Sequence, residues 1–308
     1  MSLKETFYSI VIPTYNHANF LHKALSSVIS QTYQNWEAII IDNYSNDNTM
    51  EIIESFNDPR LKTFQIDNKG IIASSRNLGI SKSKGEWVAF LDSDDKWYPN
   101  KLSSVNEFLS ENSECHIISN DENKIIKKKK IKKVLRYGPL PKNAYKYMLL
   151  YGNRLSTSAT VVKKSFLERN NLKFNESEKF VTVEDFDFWL RLAKENAKFK
   201  FIPRVMGEYV IHSSNTSNQG DITYKNSLSL LKYHIDKVQE FSRNKEKLLD
   251  KVLWNFELNY LFINFNKKEF NNFIYKISYA FFEHPIYFLS YFSVKTMTWI
   301  INRFPFLR

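Results

Sequence analysis

The chain has 308 residues and a formal net charge of +11, with 43% hydrophobic and 16% aromatic residues. Only 7 glycines and 8 prolines occur, so the composition excludes a collagen-like or disordered chain and predicts a sizeable folded core. Cys115 is the only cysteine, which excludes an intrachain disulfide framework and a cysteine-based zinc cluster.

The first hundred residues alternate strand-like and helix-like segments. Buried-strand runs cover 7–12, 36–41, 61–66 and 86–91, and helix-like segments cover 17–31, 47–56 and 70–82. This alternation predicts a mostly parallel α/β sheet flanked by helices. The strands end in four polar turns: PTYN (13–16), DNYSNDNT (42–49), DNKG (67–70) and DSDD (92–95). Because ligands collect at the carboxyl ends of parallel strands, we expect these turns to form one crevice.

The next segment continues with mixed elements. The sequence predicts helices over 101–112 and 183–197, strands over 115–119 and 155–162, and a strand, turn, strand and polar loop across 199–217. The segment DENKIIKKKKIKK (121–133) contains seven lysines in thirteen residues. Two interpretations stay open for it: a solvated loop or exposed hairpin, or a contact with anionic lipid or a charged acceptor.

Beyond residue 224 the chain becomes more aromatic, with 20 aromatic residues in the last 84 positions against 28 in the first 224. Stretches such as 254–265 and 270–282 have apolar residues on several helical faces, which predicts a helical C-terminal region over 225–308. This region has 13 Lys and Arg against 7 Asp and Glu, and it either packs on the rest of the protein or lies in a membrane interface. Neither a run of about 18 uncharged apolar residues nor a signal peptide occurs, so we expect a cytoplasmic protein.

The turn DSDD (92–95) is the strongest chemical signal. Carboxylates crowded at a strand end repel one another and lose solvation, so they favour a compensating cation. Mg²⁺ and Mn²⁺ prefer oxygen ligands and keep open positions for phosphate oxygens. The motif therefore indicates a metal-bound diphosphate, and an ordinary acidic turn before a helix is the alternative. Residues 1–100 have 9 Lys and Arg against 12 Asp and Glu, which favours metal chelation over nucleic-acid contact.

Side chains at the other strand ends suit a nucleoside. Thr14 and Tyr15 offer a hydroxyl group and an aromatic face, and Asp42 and Asn43 offer acceptors and a donor to the edge of a base. Arg76 lies on the predicted helix before the fourth strand and can approach a diphosphate. Each signal is weak by itself, but their order along the chain favours a nucleotide site.

The run SIVIPTYN, SSVISQTYQNWEAIIIDNYSNDNT and RLKTFQIDNKGIIASSRNLGISKSKGEWVAFLDSDDKWYPNKL resembles the nucleotide-binding half of the family 2 glycosyltransferases, inverting enzymes of GT-A fold. The resemblance is close over residues 7–105 and continues more loosely through VEDFDFWLRL to about residue 217. It implies a GT-A type, Rossmann-like catalytic domain over 1–224, with a nucleotide-binding half (1–100) and an acceptor-binding half (101–224). It also implies a nucleotide-sugar donor and a divalent cation, Mn²⁺ or Mg²⁺.

The resemblance also implies roles for individual residues. The donor nucleotide would be bound by Pro13, Thr14, Tyr15, Asp42, Asn43, Arg76, Asp92 and Asp94. The metal would be held by Asp94 and Asp95, with His212 of a late, mobile loop as a further candidate whose alternative is a structural role. Many family members have a second aspartate where this chain has Asn43, so a UDP-sugar is the favoured donor but the base stays open.

The later acidic motif implies the general base. Glu184 and Asp185 resemble the acidic pair of the family, and we assign the base to Asp185, with Glu184 and Asp187 as alternatives. Inversion needs a base on the face of the anomeric carbon opposite the leaving nucleoside diphosphate. In the competing interpretation, Thr182 and Asp185 form a capping box, and the helix N-terminus makes Asp185 a poorer base by lowering its pKa.

These features predict a metal-dependent inverting glycosyltransferase. We expect a hydroxyl acceptor on a lipid-linked glycan of bacterial-type surface polysaccharide or oligosaccharide assembly, because the C-terminal region is aromatic and basic. We also expect peripheral contact with the cytoplasmic face of an anionic membrane, and no nucleic-acid partner. The alternatives are a basic nucleic-acid- or membrane-binding protein without catalysis, and a nucleotide-binding protein without turnover. A dehydrogenase is excluded because no G-x-G-x-x-G follows the first strand.

Overall fold

The structure, a computed structural model, describes residues 5–126, 131–212, 215, 220–263, 278, 282 and 285–303. Residue contacts divide the chain into two units. The first comprises residues 1–139 and 154–226, and the second comprises residues 140–153 and 227–308. Every residue that the sequence analysis assigns to the site belongs to the first unit.

The first hundred residues form the predicted alternation of strands and helices. The strands are β1 (Tyr8–Thr14), β2 (Trp36–Asp42), β3 (Leu61–Gln65) and β4 (Trp87–Phe90), and the helices are α1 (Ala18–Ile29), α2 (Thr49–Ser55) and α3 (Ile72–Lys82). Strand β1 lies between β2 and β4, β3 lies beside β2, and all three pairings are parallel. Every residue of β1, β2 and β4 is buried, as expected for parallel strands covered on both faces. The prediction of a buried strand at 61–66 is wrong in its burial, because β3 lies at the edge of the sheet and its residues are only half-buried or exposed.

Beyond β4 the sheet is mixed. The remaining strands are β5 (Lys96–Trp97), β6 (Ile117–Ile126), β7 (Ile131–Leu135), β8 (Thr160–Lys163) and β9 (Phe199–Ile211), and the helices of this unit are α4 (Lys101–Glu111), α6 (Lys164–Arg169) and α7 (Glu184–Lys194), with a 3₁₀ turn at Glu178–Phe180. The described strands follow the order β3-β2-β1-β4-β8-β6-β9-β5, with β7 beside β6. Strand β8 is antiparallel to β4 and β6, whereas β9 is parallel to β6 and antiparallel to β5. The predicted fold class is confirmed, with the parallel part of the sheet confined mainly to residues 1–100.

The predicted turn within residues 199–217 is wrong. Within 199–217 the sequence predicts two strands joined by a turn, but β9 is a single strand of 13 residues. Its pairing with β6 shifts between Ile202 and Val205. Pro203 lies in this bulge, where its missing N–H removes no ladder hydrogen bond. The bulge therefore allows Pro203 to stay inside the strand.

The lysine-rich segment 121–133 belongs to a hairpin. Strand β6 pairs antiparallel with β7 from Glu122 opposite Leu135 to Ile126 opposite Ile131. This pairing confirms the hairpin interpretation for the described part, and residues 127–130 lie outside it.

The main core packs α1 against the parallel strands. The buried residues Leu21, Leu25 and Val28 recur along one face of α1 at helical spacing. They join Ile10 of β1 and Ile40 of β2 in one hydrophobic cluster. This packing holds β1 and β2 in register, so the turns at their carboxyl ends have a rigid support.

The C-terminal residues that the structure describes are largely helical. Helix α8 (Gly220–Tyr233) continues into a π-helical turn at His234–Val238, and α9 (Lys245–Ile263) and α10 (Pro285–Arg303) follow; α5 (Ala144–Tyr151) also belongs to the second unit. The Tyr291 hydroxyl group donates to Asn259 Oδ1 at 3.0 Å, which joins α10 to α9. Most of the predicted helical stretch 270–282 lies outside the described residues. Among the described helices, none has the length and apolar character that crossing a bilayer requires.

Candidate active site

Hydrogen bonds join three of the predicted polar turns at the carboxyl edge of the sheet. The Asn16 N–H donates to Ser45 Oγ at 2.9 Å, and Asn16 Oδ1 accepts from the Asn46 N–H at 2.7 Å. His17 Nδ1 lies 2.9 Å from Ser93 Oγ. The turns after β1, β2 and β4 therefore form one continuous polar surface, as the strand order requires.

The residues assigned to the nucleoside lie on the first two turns. Pro13 and Thr14 are buried, and the Thr14 hydroxyl group has no hydrogen-bond partner among the described residues, whereas Tyr15 is 50% exposed. The buried Asp42 carboxylate accepts from the Ser45 hydroxyl group at 2.5 Å and from Gln65 Nε2 at 3.1 Å. Its oxygens therefore hold the turn in shape.

Asn43 connects the second turn to its neighbours. Its N–H donates to the Thr14 carbonyl group at 3.0 Å, and its Oδ1 accepts from the Asn68 N–H at 2.8 Å. Because the acceptor atom of the amide is used by Asn68, the donor atom of Asn43 is the part of the side chain best suited to a ligand.

Arg76 connects the DSDD turn to the acidic motif on α7. The guanidinium group is buried and donates to Glu184 Oε1 at 2.7 Å and to Asp92 Oδ1 at 2.8 Å. Burial by itself would lower the pKa of Arg76, but the two carboxylates outweigh it and raise the pKa. The sequence analysis places Arg76 near the donor; in the structure it links the DSDD turn to Glu184, the residue before the expected base Asp185.

Asp94 faces the end of β9. Its Oδ2 atom lies 2.9 Å from His212 Nε2 and 3.0 Å from Asn215 Nδ2. The His212 ring stacks on Phe20, with ring centroids 4.2 Å apart. Desolvation, followed by the negative charge of Asp92, raises the pKa of Asp94. Two residues that the sequence analysis assigns to the metal are therefore adjacent.

Asp95 points the other way, into the protein. It is buried, its Oδ2 atom accepts from the Ser158 hydroxyl group at 2.6 Å, and its Oδ1 atom accepts from the Val210 N–H at 2.9 Å. Both carboxylate oxygens thus fix the turn against β9 and the segment before β8. In this placement Asp95 is a structural anchor for the turn rather than an open ligand.

Ser158 is a positioning residue that the sequence analysis missed. Its hydroxyl oxygen accepts from the Asp92 N–H at 3.1 Å, and its carbonyl group accepts from Trp97 Nε1 at 2.8 Å and from Lys101 Nζ at 3.2 Å. Burial lowers the pKa of Lys101 to about 7, although Glu122 opposes the shift. The run LSTSATVV around Ser158 has only strand character, so no local signal marks this role.

The start of α7 is not a capping box. The helix begins at Glu184, the preceding Val183 occupies the N-cap position, and no side chain caps it. Thr182 has a left-handed backbone, with φ of 72°, and its buried hydroxyl group has no partner among the described residues. The competing interpretation is therefore wrong, because the backbone turn at Thr182 removes the geometry that such a cap needs.

The three candidate bases on α7 have different surroundings. Glu184 Oε1 accepts a hydrogen bond from Arg76, and the buried Asp187 accepts one from Arg191 Nε at 2.7 Å. Burial, followed by the charge of Glu184, raises the pKa of Asp185 to about 7, although Arg76 and the Phe186 N–H oppose this. A carboxylate with a pKa near neutral is suited to accept a proton at physiological pH.

The residues around Asp94 fit a hard divalent cation when a phosphate supplies the other ligands. The carboxylate and imidazole groups of Asp94 and His212 meet at 2.9 Å, and both are ligand types that Mn²⁺ accepts. Within the described ranges, no group of three or more His, Cys, Asp and Glu side chains is arranged to hold a metal ion. One or two protein ligands plus substrate phosphates is the usual arrangement for Mg²⁺ in phosphate-binding sites.

The family model for glycosyl transferase family 2 matches residues 9–167, just over half of the chain. The chain therefore belongs to glycosyl transferase family 2, which confirms the predicted family and enzyme class.

Two similar curated proteins are from Escherichia coli. The UDP-Glc:alpha-D-GlcNAc-diphosphoundecaprenol beta-1,3-glucosyltransferase WfaP is 31% identical over 209 residues, which cover 68% of this chain and 79% of WfaP. WfgD, with the same described activity, is 31% identical over 192 residues, covering 61% of this chain and 70% of WfgD. An uncharacterized glycosyltransferase of Rickettsia bellii is 41% identical over 112 residues, 36% of this chain, but only 16% of that protein is spanned.

Solved structures share the fold. Staphylococcus aureus TarS 1–349 in complex with UDP-GlcNAc has a TM-score of 0.63 at 18% identity, covering 89% of this chain and 80% of the TarS chain. The mannosyltransferase PcManGT from Pyrobaculum calidifontis, in complex with GDP-Man and Mn²⁺, has a TM-score of 0.58 at 15% identity, covering 97% and 88%. These likenesses confirm the GT-A type fold.

Proposed function

We propose that this enzyme transfers a sugar from a nucleoside diphosphate sugar, with a UDP-sugar as the favoured donor, to a hydroxyl group of a lipid-linked glycan. The transfer is metal-dependent and inverts the anomeric centre, and it serves bacterial-type surface polysaccharide or oligosaccharide assembly. The observation that supports this most directly is the buried bridge from Asp92 through Arg76 to Glu184. It fixes the DSDD turn beside the start of the helix that carries the proposed base, Asp185.

The donor side of the proposal uses the first two turns. Thr14 and Tyr15 would contact the nucleoside, Asp42 would shape the turn, and Asn43 would offer its amide donor to the base. The choice of UDP is supported by the UDP-Glc named for both Escherichia coli relatives and by the UDP-GlcNAc complex of TarS.

We propose that Asp94 and His212 hold the divalent cation, Mn²⁺ or Mg²⁺, while Asp95 keeps the turn in place. When bound, the cation would neutralise negative charge on the departing diphosphate. Asn215 donates to Asp94 and so keeps that carboxylate turned toward His212. The PcManGT complex with GDP-Man and Mn²⁺ supports a metal in this fold.

Asp185 is the proposed general base. It takes the proton of the acceptor hydroxyl group while the acceptor oxygen bonds to the anomeric carbon and the bond from that carbon to the diphosphate breaks. Inversion follows because attack and departure occur on opposite faces. Glu184 and Asp187 are less available, since each already accepts a hydrogen bond from an arginine at 2.7 Å.

The donor assignment is tested by thermal unfolding with nucleoside diphosphates and Mn²⁺. A ligand at about 100 times its Kd stabilises a protein by about 2.7 kcal/mol, which corresponds to roughly 5 °C in Tm for a domain of this size. We expect a shift of this order with UDP, a smaller one with dTDP or GDP, and little with ADP. If none of these nucleotides changes Tm, the chain does not bind a nucleotide donor as proposed.

We propose that residues 225–308 form a separate helical region that contacts the cytoplasmic face of an anionic membrane. The apolar side chains of Phe282, Ile286 and Leu289 are 79%, 78% and 60% exposed. Ile286 and Leu289 lie three residues apart in α10 and therefore share one helical face. Basic residues outnumber acidic ones in this region by 13 to 7, and both Escherichia coli relatives are named for a lipid-diphosphate acceptor.

Replacing Ile286 and Leu289 together by Asp should weaken binding to vesicles that contain anionic lipid. The double variant removes two apolar side chains from the proposed membrane contact and adds two negative charges near anionic headgroups. We therefore expect at least a tenfold loss in partitioning. Vesicle co-sedimentation measures it, and Ile222→Asp serves as the control because Ile222 is also exposed but outside this region. Equal partitioning of the wild type and the double variant would contradict membrane contact through α10.

A further inference from the structure

Tyr44 has an unusual backbone conformation for its size. It follows Asp42 and Asn43 at the end of β2, and its φ of 51° lies in the left-handed region. Bulky side chains rarely adopt this conformation, which is easily reached only by glycine and, less often, by Asn or Asp. The Tyr44 side chain is nevertheless 56% exposed, so burial of the ring does not compensate for the unfavourable backbone.

The neighbouring residues hold Tyr44 in this conformation. On one side, the Asn43 N–H donates to the Thr14 carbonyl group at 3.0 Å. On the other, Ser45 donates its hydroxyl hydrogen to Asp42 at 2.5 Å and accepts from the Asn16 N–H. No hydrogen bond or ring contact of the Tyr44 side chain is found within the described part of the chain. The fold therefore fixes the backbone of Tyr44 and leaves its ring exposed to a ligand.

A second exposed tyrosine lies on the adjoining turn. Tyr15 is 50% exposed, and the turns of Tyr15 and Tyr44 are joined because Asn16 Oδ1 accepts from the Asn46 N–H at 2.7 Å. Asn43 directly precedes Tyr44, and its N–H donates to the carbonyl group of Thr14, the residue before Tyr15. Aromatic faces beside an amide donor are suited to a flat heterocycle, which is stacked by the rings and hydrogen-bonded at its edge.

We propose that Tyr44 is a donor-binding residue whose ring stacks on the nucleobase of the nucleoside diphosphate. This inference rests on the proposed function and adds a residue to its nucleotide site. Backbone strain at a functional site is maintained where the surrounding structure determines it, and here Asp42, Asn43 and Ser45 provide that support. The strained turn presents the ring to the crevice in advance, so little ordering is needed when the donor binds.

The test compares the binding of UDP and of inorganic pyrophosphate, each with Mn²⁺, by isothermal titration calorimetry. Tyr44→Gly should weaken UDP binding about tenfold, or about 1.4 kcal/mol, and leave the binding of pyrophosphate, which has no base, unchanged. Tyr44→Phe should keep UDP affinity within twofold of the wild type because the aromatic face remains. The midpoint of urea unfolding should stay equal or rise in Tyr44→Gly, because glycine adopts a positive φ without strain.

Asn57→Gly is the matched control. Asn57 is exposed and also has a positive φ, 46°, but it lies after α2 and away from the polar turns. It should change stability in the same direction as Tyr44→Gly without changing UDP affinity. UDP affinity of Tyr44→Gly within twofold of the wild type, or an equal loss of pyrophosphate affinity, would overturn the stacking role alone. Failure of the wild type to bind any nucleoside diphosphate would overturn the proposed donor function and this inference with it.

Discussion

Replacing Asp185 by Asn should lower kcat by at least about 100-fold, the scale expected for the loss of a general base, with donor affinity nearly unchanged. The amide has almost the same shape but cannot take the proton of the acceptor hydroxyl group. Steady-state kinetics with saturating acceptor, together with calorimetric titration of UDP, measures the two effects separately. Near-normal turnover in Asp185→Asn would transfer the role to Glu184 or Asp187.

The same assignment predicts a pH dependence. Because burial and the charge of Glu184 raise the pKa of Asp185 to about 7, a substantial fraction of this carboxyl group is protonated at neutral pH. Only the deprotonated form accepts a proton, so kcat should rise as pH increases through about 7 and level off above it. Glu184→Gln is an informative comparison: removing the neighbouring charge should lower the pKa of Asp185 and move the rise to lower pH.

Replacing Asp94 by Ala should reduce donor turnover by about 10²–10³-fold, the range observed when one electrostatic stabiliser of a transition state is removed. Addition of EDTA should have a similar effect on the wild type, with recovery on adding excess Mn²⁺. Asp94 is the proposed metal ligand that lies beside His212 at the end of β9. Removing this carboxylate or removing the metal should therefore have similar effects. Full activity in EDTA would remove the metal from the mechanism.

Asp95→Ala separates a metal ligand from a structural anchor. The Ser158 hydroxyl group and the Val210 N–H both donate to Asp95, and an unsatisfied buried polar group costs about 1–3 kcal/mol. We therefore expect Asp95→Ala to lower the free energy of unfolding in urea by several kcal/mol, whereas Asp94→Ala lowers activity with little change in stability. Equal stability of these two variants would contradict the division of roles.

The positions of the polar turns could be predicted from sequence because they depend on local patterns. Strand-like runs and polar strand ends repeat four times in the first hundred residues, and parallel pairing then brings those ends to one edge. Helix α7 could also be predicted from sequence, because its apolar residues recur at regular helical spacing. Both predictions used information contained within a few consecutive residues.

The division of roles within the acidic motifs could not be predicted this way. Asp94 and Asp95 are adjacent in sequence, yet one meets His212 and the other meets Ser158, because their partners come from segments more than sixty residues away. Asp185 and Asp187 likewise have different surroundings: Asp187 accepts a hydrogen bond from Arg191, whereas Arg76 influences Asp185 through its charge. Ser158 has no local signal at all, and the continuous strand β9 was missed because its bulge depends on the register with β6.

The Arg76 bridge has a consequence for exchanging parts between related enzymes. Both of its acidic partners come later in the sequence: Asp92 is 16 residues further along the chain and Glu184 is 108 residues further along. Breaking a buried ion pair by removing one partner costs about 3–5 kcal/mol. A chimera that grafts a foreign acceptor half onto residues 1–100 must therefore retain a carboxylate at the position of Glu184. Arg76, Asp92 and Glu184 therefore have to be kept together in such a chimera.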